Sequence, residues 1–151
     1  MQIVLYQPEI PPNTGNIGRL CAATKTPLHL IKPLGFSLND KYLKRAGLDY
    51  WSYVDLRVWP DWQAFAQSLN NQHRVVSTST RAKTNYQNFS FRTQDVLVFG
   101  PETKGLPEKF STFAHFNLRI PIWGQVRSLN IANSVAIILY EAYRQLGFLP
   151  D

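Results

Sequence analysis

Three segments rich in Gly, Pro and Asn hold the residues of this 151-residue chain that are best suited to chemistry. They are residues 11–19, residues 98–107, and residues 119–122 together with 127–130. Each lies beside a run of apolar residues that predicts a strand. Ligands bind beyond the carboxyl ends of strands in open parallel sheets, so we expect the chemistry to sit in these loops.

The second segment matches neither of the common nucleotide-binding loops. Gly100 and Gly105 have the spacing of a P-loop, but Leu106 and Pro107 follow where that motif requires Lys and Ser or Thr. A Gly-x-Gly-x-x-Gly fingerprint is also missing after the first predicted strand. The sequence therefore excludes the usual modes of NTP and NAD binding. It leaves a backbone-rich loop that can hydrogen-bond an uncharged or cationic ligand.

Cysteine and histidine are placed unfavourably for metal binding. The single cysteine, Cys21, excludes an intrachain disulfide and any zinc site built on cysteines. Because free cysteine is usually buried, we expect Cys21 to be a small apolar residue of the core. His29, His73 and His115 lie far apart without metal-ligand spacing, so we expect no metal site. A Ser-His-Asp triad is not excluded by spacing, although the chain has no Gly-x-Ser-x-Gly motif.

Short apolar runs alternate with helix-like stretches along the chain. Strands are predicted at residues 3–6, 28–31, 53–59, 74–78, 95–99 and 116–122. Helices are predicted after an N-cap at Asn13, from Asp40 to about Gly47, at 62–69 and at 129–146. This alternation favours an α/β fold with a mostly parallel sheet and helices on both faces. No linker or internal repeat is evident, so we expect a single domain over residues 1–151.

The chain is basic, with 16 Lys and Arg against 10 Asp and Glu, a net charge of +6 and a pI near 9.6. This balance points to nucleic acid before membrane as the partner. The cations proposed to track a phosphate backbone are Lys41, Lys44, Arg45, Arg81, Lys83 and Arg127. Tyr50, Trp51 or Tyr86 would stack on an unpaired base. The alternative is that these cations form an ordinary solvated surface.

The N-terminus lacks the basic flank and the long apolar core of a signal peptide. The longest apolar run, residues 135–140, has six residues, whereas a membrane span needs about 20. We therefore expect a cytoplasmic protein that has no membrane partner.

Taken together, the three segments resemble the three motifs of the SPOUT methyltransferases. The matching stretches are N-T-G-N-I-G-R at residues 13–19, F-G-P-E-T-K-G-L-P at 99–107, and I-P at 120–121 with R-S-L-N at 127–130. They occur in the right order, and the likeness extends from Ile3 to about Gly147. Flanking stretches at 6–19, 33–36, 46–50 and 140–147 are most similar to the tRNA (cytidine/uridine-34) 2′-O-methyltransferase branch.

This resemblance implies a parallel sheet whose C-terminal part is tied into a deep trefoil knot. It also implies that the knot loops hold S-adenosylmethionine (AdoMet) and that no metal ion is needed. Seven positions match the cofactor contacts of the family: Thr78, Gly100, Glu102, Gly105, Ile120, Ser128 and Leu129.

The resemblance assigns catalysis to Arg19, at the end of the first motif. Methyl transfer to a ribose hydroxyl requires alignment of donor and acceptor and removal of a proton from a poor acid. Free arginine stays protonated, so we expect Arg19 to orient a phosphate or the 2′-hydroxyl and to stabilise developing negative charge. Glu102 would bind the cofactor, support the site through another residue, or be solvated. Asn16 and Asn130 would hold loops or ribose hydroxyls, or serve as turn and cap residues.

The expected function is AdoMet-dependent 2′-O-methylation of the wobble nucleotide, position 34, in the anticodon stem-loop of tRNA. Two alternatives stay open: the same chemistry on ribosomal RNA, and a non-catalytic RNA-binding protein of the same fold. We expect no appended RNA-binding domain, and the family implies homodimers. The candidate RNA-binding residues are Lys41, Lys44, Arg45 and Arg127. Arg19 and the cofactor pocket of one protomer would then work with the basic face of the other.

Two positions depart from the pattern of this branch. Gly18 stands where relatives more often carry an apolar residue, and we expect it to loosen the helix before Arg19. Val126 precedes Arg127 where a serine is common, which removes a hydroxyl near the mouth of the pocket.

Overall fold

The computed structural model describes residues 1–38 and 50–148. Its strands are β1 (Gln2–Tyr6), β2 (Leu28–Ile31), β3 (Leu56–Trp59), β4 (Arg74–Thr78), β5 (Thr84–Asn85), β6 (Asp95–Phe99) and β7 (Phe116–Arg119). Its α-helices are α1 (Pro11–Thr24), α2 (Trp62–Gln67) and α3 (Ile131–Leu146), with 3₁₀ turns at Trp51–Tyr53, Tyr86–Asn88 and Glu108–Thr112. The helix predicted from Asp40 to about Gly47 lies outside the described residues.

The strands form one sheet in the order β3-β2-β1-β6-β4-β7-β5. Every pairing in the described ranges is parallel. β1 and β6 lie side by side, with Ile3 opposite Leu97. All residues of β2 and β6 are buried, which explains their nearly continuous apolar sequences. The prediction of a mostly parallel sheet is confirmed.

Successive residues of β6 pack against helices on opposite faces of the sheet, as the pleat of a strand requires. Leu97 belongs to a core that contains Ile17 of α1 and Ile138 of α3. Val96 belongs to a second core that contains Phe65 of α2. The prediction of helices on both faces is therefore confirmed. No helix in the described ranges is both long enough and apolar enough to cross a membrane.

The start of α1 differs from the prediction. Its N-cap is Ile10, and Pro11 and Pro12 occupy the first helical positions. Proline suits the first turn because its φ angle is already helical and the N–H that it lacks would be unpaired there. Asn13, which was predicted to be the N-cap, consequently lies inside the helix and is only 8% exposed. Its amide is thus available for contacts with other segments.

Two strands are shorter than predicted. The strand expected from residue 53 begins at Leu56, because Trp51–Tyr53 form a 3₁₀ turn. The last strand ends at Arg119, ahead of Pro121, which has no N–H for a ladder hydrogen bond. The stretch in which the sequence shows no clear period contributes the short edge strand β5, which pairs with β7.

A bidentate ion pair joins the amino ends of β4 and β6. Nε and Nη2 of Arg74 donate to the two carboxylate oxygens of Asp95 at 2.7 and 2.8 Å. The side chain of Asp95 is fully buried, and that of Arg74 is 16% exposed. Asp95 also accepts the backbone N–H of Arg92 at 2.8 Å. The Arg74 guanidinium lies over the rings of Phe89 and Phe116. Both carboxylate oxygens of Asp95 therefore accept hydrogen bonds.

Cys21 and His29 are two further buried titratable side chains. Cys21 is buried, as predicted, and burial raises the pKa of its thiol to about 12. His29 of β2 accepts a hydrogen bond from the indole Nε1 of Trp59 at 3.0 Å. The neutral ring therefore carries its proton on Nε2, which has no partner within the described structure. Burial, together with the nearby charge of Arg57, lowers the pKa of His29 to about 4.

We expect His29 to make the protein less stable in mild acid. An unfolded imidazole has a pKa near 6.5, so a proton binds more tightly to the unfolded chain than to the fold. The stabilising effect is complete above about pH 6.5 and is lost as the pH falls towards 4, by at most about 1.4 kcal/mol per pH unit. Urea unfolding at neutral pH and near pH 5 measures this loss. His29→Gln should flatten the dependence, and an equally steep loss in the variant would contradict the assignment.

Candidate functional site

A cleft lies beyond the carboxyl ends of β4, β6 and β7, three neighbouring strands. Thr78 ends β4, Gly100 follows β6 and Ile120 follows β7, so the sheet brings three distant parts of the chain to one edge. The cleft encloses about 630 Å³, a volume typical of small-molecule sites. This is the position at which open parallel sheets bind their ligands.

All seven residues predicted to contact the cofactor line this cleft. They are Thr78, Gly100, Glu102, Gly105, Ile120, Ser128 and Leu129. Arg127, predicted to bind RNA, lines it as well. Sequence reasoning did not single out Ser79, Thr80 or Lys104, although Ser79 and Thr80 follow Thr78 and Lys104 lies within the second segment. Lys41, Lys44 and Arg45 lie outside the described residues.

The loop after β6 is so tight that residue 100 has no room for a side chain. A Cβ atom on Gly100 would lie 2.4 Å from the backbone nitrogen of Leu106 and 2.6 Å from the carbonyl carbon of Gly105. Gly105 has a φ of +67°, which favours glycine. Its N–H donates to the carbonyl of Pro101 at 2.9 Å. The two glycines thus let the loop fold back on itself beside the cleft.

Glu102 lines the cleft, but its carboxylate is bonded to the start of α1. One oxygen accepts the backbone N–H of Glu9 at 2.9 Å. The other accepts the N–H of Ile10 at 3.2 Å and the side-chain amide of Asn13 at 3.1 Å. A carboxylate placed here satisfies unpaired backbone donors and complements the helix dipole. Of the three roles expected for Glu102, this arrangement favours support of the site through other residues.

Glu9 makes the reciprocal contact, from the segment before α1 to the loop that carries Glu102. Its carboxylate accepts the N–H of Thr103 at 2.9 Å and the Thr103 hydroxyl at 2.7 Å. These two hydrogen bonds from Thr103 lower the pKa of Glu9. We refer to the contacts among Glu9, Asn13, Glu102 and Thr103 as the carboxylate clasp. It holds the loop after β6 against the beginning of α1.

Asn130 connects the third segment to the first. Its side-chain amide donates to Oδ1 of Asn13 at 2.9 Å. Its own Oδ1 accepts the N–H of Ala132 at 2.8 Å, so Asn130 is the N-cap of α3. The helix therefore begins at Ile131 rather than at Leu129, where it was predicted. The three segments singled out from the sequence are joined by side-chain hydrogen bonds.

Arg19 lies on a different part of α1 from the cleft. Asn13 lines the cleft, and a helical residue six positions later is about 9 Å further along and about 120° around the axis. Arg19 is exposed and is absent from the described lining of the cleft. Its guanidinium lies 4.8 Å from the centroid of the Tyr50 ring, a cation–π distance. The structure therefore does not bring Arg19 into the cleft of its own chain.

Tyr50 and Trp51 pack on α1. Tyr50 is 9% exposed, and its hydroxyl donates to the carbonyl of Gly15 at 2.7 Å. Trp51 covers Gly18, where a Cβ atom would lie 2.7 Å from Cζ3 of the indole. Gly18 was expected to loosen the helix, but it gives Trp51 the space to dock on a continuous α1. Because Tyr50 is buried beside Arg19, it is not available to stack on a base.

Trp123 has the most exposed large apolar side chain in the described ranges, at 93%. It lies between β7 and α3, and Ile122 and Arg127 on either side of it in sequence line the cleft. Sequence reasoning missed this residue. The available signal was a tryptophan placed between Pro121 and Gly124, where a loop rather than a core element is expected.

Exposed cations border the cleft. Arg81, Lys104 and Arg127 all belong to its lining, and all three are exposed. A basic rim around a concave site attracts anionic ligands such as nucleic-acid phosphates. Over residues 1–38 and 50–148, no group of three or more His, Cys, Asp or Glu side chains is placed to hold a metal ion.

Sequence comparison finds relatives along nearly the whole chain. The model of the SpoU rRNA Methylase family matches residues 1–140. The tRNA (cytidine(34)-2'-O)-methyltransferase of Methylovorus glucosotrophus is 53% identical over 149 residues, 97% of this chain and 96% of the relative. The protein of the same name in Escherichia coli K12 is 45% identical over 150 residues, 98% of this chain and 95% of the relative.

Solved structures share the fold. One, described as giving structural insights into the 2-OH methylation of C/U34 on tRNA, is 50% identical with a TM-score of 0.94, over 98% of this chain and 97% of that one. The SpoU methyltransferase AviRb from Streptomyces viridochromogenes, in complex with the cofactor AdoMet, is 25% identical with a TM-score of 0.84, over 97% of this chain and 57% of AviRb. The predicted relationship is confirmed, and this chain belongs to the SpoU methylase family of methyltransferases.

Proposed function

We propose that this protein transfers a methyl group from AdoMet to the ribose 2′-oxygen of nucleotide 34 in tRNA, a cytidine or modified uridine. The observation that carries the proposal is 45% and 53% identity to two tRNA (cytidine(34)-2'-O)-methyltransferases over nearly the full length of each. The cleft supplies a site for a small ligand, and its basic rim supplies a surface for RNA.

The residues of the cleft fit AdoMet. The loop of Gly100 and Gly105 presents backbone groups to the polar ends of the ligand, since no side chain separates them from the cleft. Ile120 and Leu129 add apolar contacts, and Ser128 adds a hydroxyl. When bound, AdoMet supplies an activated methyl group on a sulfonium centre, a chemistry that needs no metal ion. The lining thus combines apolar side chains with polar groups that can fix the orientation of a ligand.

Gly100→Ala should weaken AdoMet binding by about tenfold or more, because the added Cβ displaces the backbone of Leu106 and reshapes the loop. Isothermal titration calorimetry measures the dissociation constant. Gly124→Ala is the matched control, since a Cβ atom there meets nothing within 4 Å. Equal affinity for the two variants would exclude the loop of Gly100 from the cofactor site.

Arg19 has the chemistry needed at the acceptor oxygen. The new O–CH3 bond would form as the S–CH3 bond of the sulfonium breaks, and the hydroxyl proton would pass to solvent water. The ribose hydroxyl is a poor acid, so the site must stabilise negative charge on the oxygen as this proton leaves. A guanidinium keeps its charge and offers five N–H donors, but it does not accept a proton. Arg19 therefore donates to the 2′-oxygen or to an adjacent phosphate and aligns the acceptor with the methyl group. The ring of Tyr50 restricts the guanidinium before RNA binds.

The working unit in this proposal is a homodimer in which Arg19 serves the cleft of the partner protomer. The separation of Arg19 from the cleft of its own chain supports this arrangement. A groove between α1 and α3, lined by residues including Leu20 and Ala136, offers a surface for self-association. Tyr140 of α3 is 47% exposed. The assignment of Arg19 to the cleft of the partner differs from our expectation from sequence, in which Arg19 and the pocket of the same protomer act together.

The deep trefoil knot is the remaining part of the proposed fold. β6 and β7 lie on either side of β4, so the chain crosses that strand between Phe99 and Phe116. The loop after β6 and the loop after β7 then border the same cleft. The close backbone approach at Gly100 is the kind of contact that a tightly threaded segment requires.

RNA contacts are assigned to the basic rim. Arg127 lies at the cleft together with Arg81 and Lys104. Such cations bind phosphates and position the substrate without selecting its sequence. Lys41, Lys44 and Arg45 stay predicted contributors from the segment that precedes Tyr50.

Nucleotide-resolved mass spectrometry of RNA from cells with and without the gene tests the proposal. We expect the 2′-O-methyl group at position 34 of tRNA to disappear in the deletion strain and to return with the wild-type gene. Loss of methyl groups only from ribosomal RNA would identify the other substrate class. Absence of AdoMet binding at millimolar cofactor would identify a non-catalytic RNA-binding protein.

A further inference from the structure

The side chain of Trp123 packs against little of the protein. It is 93% exposed, and residues 123–128 are all exposed. Tryptophan is on average a highly buried residue because its large ring gains much from leaving water. The indole of Trp123 therefore contributes little to packing within the protein. The ring is available for contact with a bound partner.

The place of Trp123 in the chain puts its backbone next to the lining of the cleft. Ile122 lines the cleft directly before it, and Arg127 lines the cleft shortly after it. Adjacent Cα atoms are about 3.8 Å apart, so the indole begins within one residue of the lining. An acceptor ribose must come within about 3.5 Å of the methyl group to react. The base of that nucleotide, or of the next one, then lies near the mouth of the cleft, within reach of a large side chain on its rim.

The surroundings of Trp123 favour RNA over a second copy of the chain. The exposed stretch mixes apolar Val126 with Gly124, Gln125 and Arg127. Cores of protein interfaces are depleted of charge, whereas Arg81 and Lys104 add further cations around this cleft. Exposed aromatic rings among cations are typical of sites that bind unpaired nucleotides by stacking.

We propose that the Trp123 indole stacks on an unpaired base of the anticodon loop and so helps to hold the acceptor nucleotide at the cleft. The proposal rests on the proposed tRNA substrate. Stacking on one face of a base is tolerant of sequence, so Trp123 contributes affinity and position rather than base identity.

The test measures binding of an unmodified anticodon stem-loop RNA by fluorescence anisotropy. Trp123→Ala should raise the dissociation constant of the RNA by about 5- to 150-fold. This is the range expected for the loss of one stacked base, when a tenfold change in affinity corresponds to about 1.4 kcal/mol. Trp123→Phe keeps an aromatic face and should stay within about threefold of wild type. Tyr53→Ala is the control, because Tyr53 is 76% exposed but is absent from the described lining of the cleft. Affinity for AdoMet should not change in any of them.

An abasic scan of the loop separates stacking from a structural role. Removing the stacked base from the RNA should weaken its binding to the wild-type protein as much as the Trp123→Ala substitution does. The Trp123→Ala variant should bind the abasic RNA and the intact RNA with equal affinity. Unchanged RNA affinity in Trp123→Ala, or additive losses at every abasic position, would overturn the proposal. If the Trp123→Ala variant sedimented as a monomer and the wild-type protein as a dimer, the proposal would also be overturned, because the indole would then belong to a protein interface. Failure of the wild-type protein to methylate position 34 would instead contradict the proposed function.

Discussion

Replacing Arg19 with alanine should slow ribose methylation by about 100- to 1,000-fold, the usual cost of losing one donor to a developing negative charge. Affinity for AdoMet should stay within about twofold, because Arg19 is absent from the described lining of the cleft. Single-turnover transfer of a radiolabelled methyl group to unmodified tRNA measures the rate. Arg57→Ala is the control, since Arg57 is an exposed arginine on edge strand β3. A rate for Arg19→Ala equal to that of the control would remove Arg19 from catalysis.

Mixed dimers decide which cleft Arg19 serves. A dimer of one Arg19→Ala subunit and one Gly100→Trp subunit contains one intact cleft and one intact arginine, on different chains. If the arginine acts on the partner, this dimer should recover about half of wild-type activity, because one of its two sites is complete. Differently tagged subunits allow the mixed dimer to be purified. Activity no higher than that of either parent would show that Arg19 acts within its own chain.

Asp95→Asn should lower the free energy of unfolding by about 3 to 5 kcal/mol, because it leaves the Arg74 charge inside the protein without its counter-ion. Asp95 is fully buried, and the side chain of Arg74 is 16% exposed. Urea denaturation at neutral pH measures the difference.

The chain contains a matched control for this variant. Arg57 and Asp55 also form an ion pair, but their side chains are 60% and 52% exposed. Asp55→Asn should therefore change the free energy of unfolding by less than about 1 kcal/mol. Equal losses from the two asparagine variants would mean that the buried pair contributes no more than the exposed one.

Strands in the centre of the sheet were predictable from sequence because burial on both faces favours short runs rich in β-branched and other apolar residues. The predicted bounds of β4 and β6 agree with the structure at both ends. Errors occurred where local chemistry competed with periodicity. Pro11 and Pro12 begin α1 before Asn13, and Trp51–Tyr53 form a turn in place of strand. Apolar content alone does not distinguish these cases.

Residues that line the cleft were predictable from sequence, but the hydrogen bonds among them were not. The family resemblance named Gly100, Ser128 and the other predicted cofactor contacts, and they share one cleft because the ends of neighbouring parallel strands meet at one edge. Their contact with the cofactor stays a prediction. The partners of Glu102 depend on how a loop and a helix 93 residues apart in sequence are oriented. No spacing rule describes that orientation. Trp123 was overlooked for a similar reason, since exposure is a property of the fold rather than of the residue type.

The carboxylate clasp makes two distant segments open as one. Glu9 and Glu102 each bind the backbone of the other's segment, so neither segment can leave its place without breaking bonds of both. Asn130 extends the connection to the first turn of α3 through Asn13. We expect segments joined in this way to unfold locally as one cooperative unit, so that their amides share one opening free energy. The stability of the helix that carries Arg19 is thereby linked to that of the loop beside the cleft.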